Sequence, residues 1–581
     1  VLAHVTPTFY DMGDLIAHTD GAAMMGLYLA LPAEKPSQTN QKIDRYIAKL
    51  KPYAPTGYMW CPIGGDFMPP VKNLLAYIDE YNRTRYPITG TYVVLAALED
   101  YMDLVSFHQD KLPTLKFDPN PYWTGFYSSR PHMKSLCRDL SRSLFLAEAY
   151  GVQAEDRGTG KYPDLWEPWY VSAMSNHHDF ITGTARDEVL KNEQLPLLRG
   201  AIDFTRKLIP EISPESSDEN EKLTVTEDRD LIAVENRYYL IAIDKSKGGT
   251  ITRWLDKTTG EEVVTGPSNE VALYRDSGGM YLMGMEVYKG IWKEISAGGE
   301  RAVSKLLIVK DGSDGEARIE ISRTYSPTTR VTQRLIFESD SPAVRMELIG
   351  RVGGSQTAVV RFRTTAKPGR FVQNLTYGVV ERPVERHYQP TFWAVKDWVD
   401  LIDQSGKFGF NLALTAPGAV SARADGTIEA VALRNAKAER TLGFIHAFQT
   451  IVANGRDPSE HTFAYAVWPH GPEGWLERRP WSQTLKLLHP DEKIMTEIVM
   501  TDHPDVEVTT IKKSEAGDGV VVRLYRYAPG PVTVNLTWKG RPVKSAALID
   551  ALERELGPLY LKDGKVTVEM PYALASALLK F

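Results

Sequence analysis

A twelve-residue stretch, SPESSDENEKLT from Ser213 to Thr224, separates two patterning regimes that one layer of secondary structure cannot satisfy. Before it, apolar residues recur at helical spacing. In RPHMKSLCRDLSRSLFLAEAY, Met133, Leu136, Leu140 and Leu144 fall on one face. Pro131 suits a first helical turn, where its missing N–H costs nothing. A second helix is expected through LWEPWYVSAMSNHH and a third through RDEVLKNEQLPLLRGAIDFTRKLIPEI, with Pro196 and Gly200 as kinks. Three such helices predict a bundle over 126–215. After the acidic stretch, short β-rich runs take over, as in LIAVENRYYLIAIDKSKGGTITRWLDKTTGEEVV, with turns at Gly248-Gly249 and near Gly260. Roughly 350 residues of this habit predict antiparallel β-sandwich domains. We expect a large sandwich region over 225–500 and a smaller β domain over 501–581, following a helix in WLERRPWSQTLKLL. Residues 1–125 read as mixed α/β. There GYMWCPIGGDF is an apolar run expected to be a strand ending at the Gly64-Gly65 turn, VKNLLAYIDEYNR is helical, and the latter part of TGTYVVLAALEDYMDLV is helical. The fold class expected is multidomain α/β, then α, then β.

A chain of 581 residues exceeds what one hydrophobic core organises, so several domains are required. The formal charge of −6 argues against a nucleic-acid partner held by phosphate neutralisation and leaves neutral ligands open. No apolar run is long enough to span a membrane, and the opening VLAHVTPTFYDMGD lacks the basic start of a signal peptide. It also lacks an initiator methionine, as expected of a processed chain or of part of a larger protein. Two cysteines, Cys61 and Cys137, supply no disulfide framework and lead to the expectation of a reducing, cytoplasmic setting. NRT at Asn82 and NLT at Asn374 and Asn535 have the glycosylation pattern, which matters only in a secreted chain.

Three short stretches carry candidate chemistry. In SNHHDFITGT, His177, His178 and Asp179 are consecutive, and neighbouring helical side chains lie about 100° apart. At a helix end, one ring can face a site while the other packs behind it. His178 could then bind a metal and Asp179 a metal or a substrate. The same residues also fit a helix C-terminus stabilised by histidines, followed by an N-cap, and composition alone favours that reading. In CPIGGDFMPP, Asp66 follows a Gly-Gly turn beside Phe67, a setting that suits a general acid of raised pKa, although the residues alone favour an Asx turn. In WTGFYSSRP, Trp123, Phe126 and Tyr127 could line a sugar-stacking cleft or belong to the core.

Taken together, these stretches resemble glycoside hydrolase family 38, the class II α-mannosidases. YWTGFYSSRP at Tyr122–Pro131, HHDFITGT at His177–Thr184 and GGDF at Gly64–Phe67 match that family's segments in order and spacing. ENRYYLIAIDKSKGGTITRWLDKTTGEEV and HTFAYAVWPH resemble its early and late β segments. The resemblance implies the C-terminal part of a (β/α) barrel-like catalytic domain in residues 1–125. It also implies a zinc ion, with His178 as a ligand and Asp179 contacting a substrate hydroxyl. Asp66 is implied as general acid/base. Tyr10 and Asp11 match a substrate-contacting pair, and Tyr281 and Arg434 match β-domain residues that approach the site.

The family's upstream HxD zinc pair and its nucleophilic aspartate find no match. His18-Thr19-Asp20 reads instead as the family's later HTCG-like turn, with Asp20 in place of a cysteine. The implied chemistry is retaining hydrolysis of a mannose-containing saccharide, in which one carboxylate attacks the anomeric carbon and a second, about 5 Å away, acts as acid and then base. A lone histidine cannot hold zinc, which takes three or four protein ligands. An N-terminal catalytic segment or subunit is therefore an expected partner, and an oligomer is open. Two rivals stand beside this reading: a non-catalytic carbohydrate-binding protein descended from such an enzyme, and a different β-sandwich carbohydrate enzyme, such as a lyase.

Overall fold

The structure is a computed structural model. It describes residues 12–17, 35–64, 70–114, 124–210, 222–284, 292–297, 302–310, 315–382, 392–437, 439–440, 453–454, 456–472 and 479–581. The chain divides into two compact units, 1–119 with 440–452, and 120–439 with 453–581.

In the first unit, helices span Met12–Ala17, Pro36–Leu50, Leu74–Thr84, Tyr86–Thr89 and Leu98–Ser106. Pro36 starts its helix, the Asp100 carboxylate reaches back to the Ala97 N–H at 2.8 Å, and Gly90 closes a helix at φ 68°. Buried Tyr81 donates to the Asp44 carboxylate at 3.0 Å, joining the Pro36–Leu50 and Leu74–Thr84 helices. The described part of 1–114 contains no strand, and neither a closed barrel nor a barrel segment is seen in it. The apolar run at 58–64, where sequence favoured a strand, is irregular and largely solvent-facing. Pro62 removes a ladder donor there, and no described strand pairs with the run.

The second unit begins with the 27-residue helix Pro131–Arg157. One face, with Met133, Leu140 and Leu144, packs on Val171 of the Trp166–Ser175 helix and on Leu198 and Ile202 of Leu195–Arg206. The other face, with Leu146, Ala149 and Val152, joins the core of the C-terminal sheets. These helical segments share a core, but the third is not the kinked single helix expected. A turn at Asp187–Val189 is followed by a π-helical stretch, Leu190–Gln194, and only then by regular helix. Pro196 accounts for the widened turn, since it offers no N–H to the preceding turn and its ring crowds that turn's carbonyls. Gly200 produces no kink; it lies inside the regular helix.

The remainder is β. Four-, nine- and six-stranded sheets enclose one large core that includes Trp254, Phe337, Phe362, Phe410 and Tyr465. Every ladder of these three sheets is antiparallel; Val344–Arg351, for example, pairs with His461–His470 and buries alternate residues. The turn glycines Gly248, Gly249 and Gly260 adopt φ of 73°, 70° and 77°, as their hairpin turns require. A helix at Pro480–Leu488 precedes a second pair of sheets, with four and five strands, whose first strand is Val499–Thr501.

Candidate functional site

The segment after Trp123 is the hub of the site. At its C-terminal end, Arg130 is fully buried in the left-handed region at φ 46°, and Pro131 opens the long helix. Arg130 donates to the Asp187 carboxylate at 2.7 Å and to the Arg456 carbonyl at 3.3 Å. The Ser129 hydroxyl donates to the Thr182 carbonyl. Lys134, one turn into the helix, donates to the carbonyls of Ser129 at 2.5 Å and Ile181 at 2.7 Å. Burial pulls the Lys134 ammonium down to about 7. Gly183 sits at φ +81°, where a Cβ would stand 2.9 Å from the Ser129 hydroxyl oxygen. Thus the SSRP turn clamps the loop after the Trp166–Ser175 helix.

That loop presents His177, His178 and Asp179. The Asp179 N–H donates to His177 Nδ1 at 3.1 Å, which leaves the proton of the neutral ring on its other nitrogen. The two imidazoles stack with centroids 4.2 Å apart, and His178 Nε2 lies 3.5 Å from an Asp179 oxygen. Thr184 donates to the other Asp179 oxygen at 3.0 Å, while Thr182 donates to the His178 carbonyl. The side chains of His178 and Asp179 are 82% and 66% exposed. One ligand atom from each of the three lies within 4.8 Å of the others. Ligands at zinc distances of about 2.1 Å sit no more than about 4.2 Å apart, so small side-chain rotations close the set. Imidazole nitrogen and carboxylate oxygen are donors zinc accepts, and the cluster fits that ion.

At its N-terminal end, the hub grips a second loop. Gly125 donates to the Tyr281 carbonyl at 3.1 Å, and a Cβ on Gly125 would stand 2.5 Å from the Met280 oxygen. The Phe126 ring meets Tyr281 at a centroid distance of 5.0 Å, leaving the tyrosine 39% exposed. Arg434 fastens this arrangement from below. Its guanidinium donates to Asp276 at 2.7 Å and to the carbonyls of Gly125 at 2.8 Å, Gly279 at 2.6 Å and Leu282 at 2.9 Å. At 1% exposure, Arg434 positions the Tyr281 loop rather than offering its own charge to a ligand.

The structure therefore ties the His178–Asp179 loop and the Tyr281 loop to one motif. Tyr10, Asp11 and Asp66 lie outside the described residues, as do Tyr122 and Trp123. Sequence reasoning missed Lys134, Asp276 and the bridging role of Gly125. Only Gly125 carried a signal, a glycine between bulky residues in a chemistry-bearing stretch.

The fold and site together define a multidomain protein of α/β plus β-sandwich architecture with an exposed candidate metal cluster. Three family models place it further: residues 121–212 match the alpha mannosidase middle domain, 234–438 the glycosyl hydrolases family 38 C-terminal domain, and 505–573 the family 38 C-terminal beta sandwich domain. The chain belongs to glycoside hydrolase family 38. Alpha-mannosidase F of Dictyostelium discoideum is 25% identical over 213 residues, 33% of this chain and 20% of that protein. Alpha-mannosidase 2x of Mus musculus is 38% identical over 98 residues, 15% of this chain and 8% of that protein. The matches thus span a fifth or less of these relatives' lengths. The crystal structure of an alpha-mannosidase from Enterococcus faecalis V583 superposes with a TM-score of 0.71 at 14% identity, covering 94% of this chain and 79% of that one, a likeness of fold.

Proposed function

We propose that this chain forms part of a zinc-assisted retaining α-mannosidase. The observation that carries the reading is the exposed His177–His178–Asp179 donor set, held in place by the SSRP turn. His178 is the zinc ligand in this reading, and Asp179 accepts a hydrogen bond from a mannose hydroxyl. Bound zinc would supply a Lewis acid for the sugar's vicinal hydroxyls. Tyr281 offers a half-exposed ring as a wall for the sugar, kept in place by Arg434. Tyr10 and Asp11 make further substrate contacts. Asp66 protonates the leaving oxygen and then deprotonates the attacking water. The nucleophile and the remaining zinc ligands come from an N-terminal catalytic segment or subunit, and residues 1–125 complete an α/β barrel with it. A cytoplasmic location suits two cysteines that are not joined in a disulfide, Cys61 exposed and Cys137 buried.

The test is metal content by mass spectrometry of the intact complex, paired with hydrolysis of an aryl α-mannoside. Wild-type complex is expected to carry zinc and release the aryl group with retention. His178→Ala should lose the zinc and at least about 100-fold in kcat/KM, a ratio equal to about 2.7 kcal/mol. Undiminished zinc in His178→Ala would overturn the metal assignment. Sugar binding without hydrolysis by the complete complex would favour the non-catalytic reading.

A further inference from the structure

A cavity of about 270 Å³ opens where the long helix, the large sheets and the C-terminal sheets meet. Its size is near the lower end of small-molecule sites, which run from about 300 to 1,000 Å³. Its inner wall includes Asn176 and Ile181, on the side of the metal-cluster loop facing the long helix. Its outer wall is aromatic. Tyr377 is 51% exposed and contacts Tyr525 with centroids 5.7 Å apart. Tyr525 meets Tyr527 edge-on at 4.6 Å, and Tyr527 stacks flat on Trp481 at 3.9 Å.

The polar wall has balanced charge. Arg138 and Lys396 share Asp397, each at 3.1 Å, and Arg142 is saturated by Glu492 and Asp491 at 2.7 Å each. Glu507 accepts from the Tyr527 hydroxyl at 2.7 Å, and burial raises its pKa. With cations and carboxylates offsetting each other, the wall does not select an anion. Donors remain at Lys396, whose ammonium uses one acceptor on a 32% exposed side chain, whereas the partnerless Arg138 Nε is sealed from the cavity. Free donors beside carboxylate acceptors, under an exposed aromatic face, match a ligand whose groups both donate and accept and which also has an apolar face.

We propose that this cavity is a second carbohydrate site, taking one neutral sugar ring with its hydroxyls toward Lys396 and Glu507 and its C–H face toward Tyr377. It does not rest on the mannosidase reading. The experiment is fluorescence titration of the full chain, Trp481 acting as reporter, with methyl α-D-mannopyranoside and separately with inorganic phosphate. It is run in the His178→Ala background with chelator, which silences the metal cluster. Saturable sugar binding is expected there, weakened about tenfold or more by Tyr377→Ala and by Lys396→Met. Tyr377 is solvent-facing, and Asp397 keeps Arg138 at 3.1 Å and Asn374 at 3.0 Å when Lys396 is replaced, so both variants should fold. Loss of all sugar binding in His178→Ala alone overturns the proposal, as does indifference to both mouth variants. Phosphate binding in place of sugar also overturns it.

Discussion

Two clusters of ionisable side chains in the second unit are built on opposite terms. Arg361, 4% exposed, donates to Glu429 at 2.6 Å, Glu270 at 3.2 Å, Glu294 at 2.9 Å and the Tyr274 hydroxyl at 2.6 Å. Burial lowers its pKa, and its bonds to the Glu294 and Glu429 carboxylates outweigh that effect, so the net shift is upward. The His177–Asp179 cluster is exposed, and its ring nitrogens and carboxylate oxygens are only partly engaged by protein. The first cluster spends its bonding capacity on architecture. The second keeps capacity for a ligand, and it can do so because other residues, Ser129, Lys134 and Gly183, hold the backbone beneath it.

The contrast breaks most visibly at Arg361. Arg361→Leu removes the central partner of Glu270 and Glu429, leaving them Arg363 and Arg423 at 2.7 Å each, and should cost about 3 kcal/mol or more in denaturant unfolding. A loss below about 1 kcal/mol would show that the buried cluster is not what it is taken to be here.

Glu148 is an intermediate case, buried with one oxygen accepting from Trp169 at 3.0 Å and the other without a partner. Burial pushes it up to about 7, against the Trp169 bond. Folded protein therefore keeps this proton while unfolded chain loses it near an ordinary value of about 4.3. The contribution to stability is full below that value and falls as pH rises toward 7, by about 3 kcal/mol in all. Glu148→Gln should remove that slope in thermal scans between pH 4.5 and 7; an unchanged slope would assign it elsewhere.

Gly183→Ala probes the frame of the open cluster. A Cβ at its positive φ, close to Ser129, should cost about 1–2 kcal/mol and weaken zinc binding. Unaltered zinc affinity would separate the SSRP clamp from the metal cluster. The smallest stability effect belongs to His178→Ala, expected within about 0.5 kcal/mol of wild type although zinc is lost. A large destabilisation there would mean that the exposed histidine serves the fold after all.

The β region was legible because alternation in strands such as Val344–Arg351 reports burial directly. The long helix was legible from Met133, Leu140 and Leu144, and the HHD loop as a site only through the family resemblance, since its composition favoured a helix terminus. The π-helical stretch was not, since periodicity marks Pro196 as disruptive without saying how the turn adjusts. Lys134 was invisible because its role depends on the Ile181 carbonyl, 47 residues away. Arg434 was found by resemblance, yet its four protein acceptors, which make it a positioning residue, come from segments the sequence does not juxtapose. The apolar run at 58–64 misled because apolarity alone does not supply a ladder partner.

The bond from Arg434 to the Gly125 carbonyl joins residues 309 positions apart. A ribosome adding about 5–20 residues per second needs about 15–60 s to travel between them. Tyr281 emerges about halfway through, so for the last part of that interval, about 8–30 s, the nascent Tyr281 loop has its aromatic neighbour but not its guanidinium anchor. This part of the site is therefore completed late in synthesis, and a transcript truncated before codon 434 would yield a chain with the HHD motif but without the means to set the Tyr281 wall beside it.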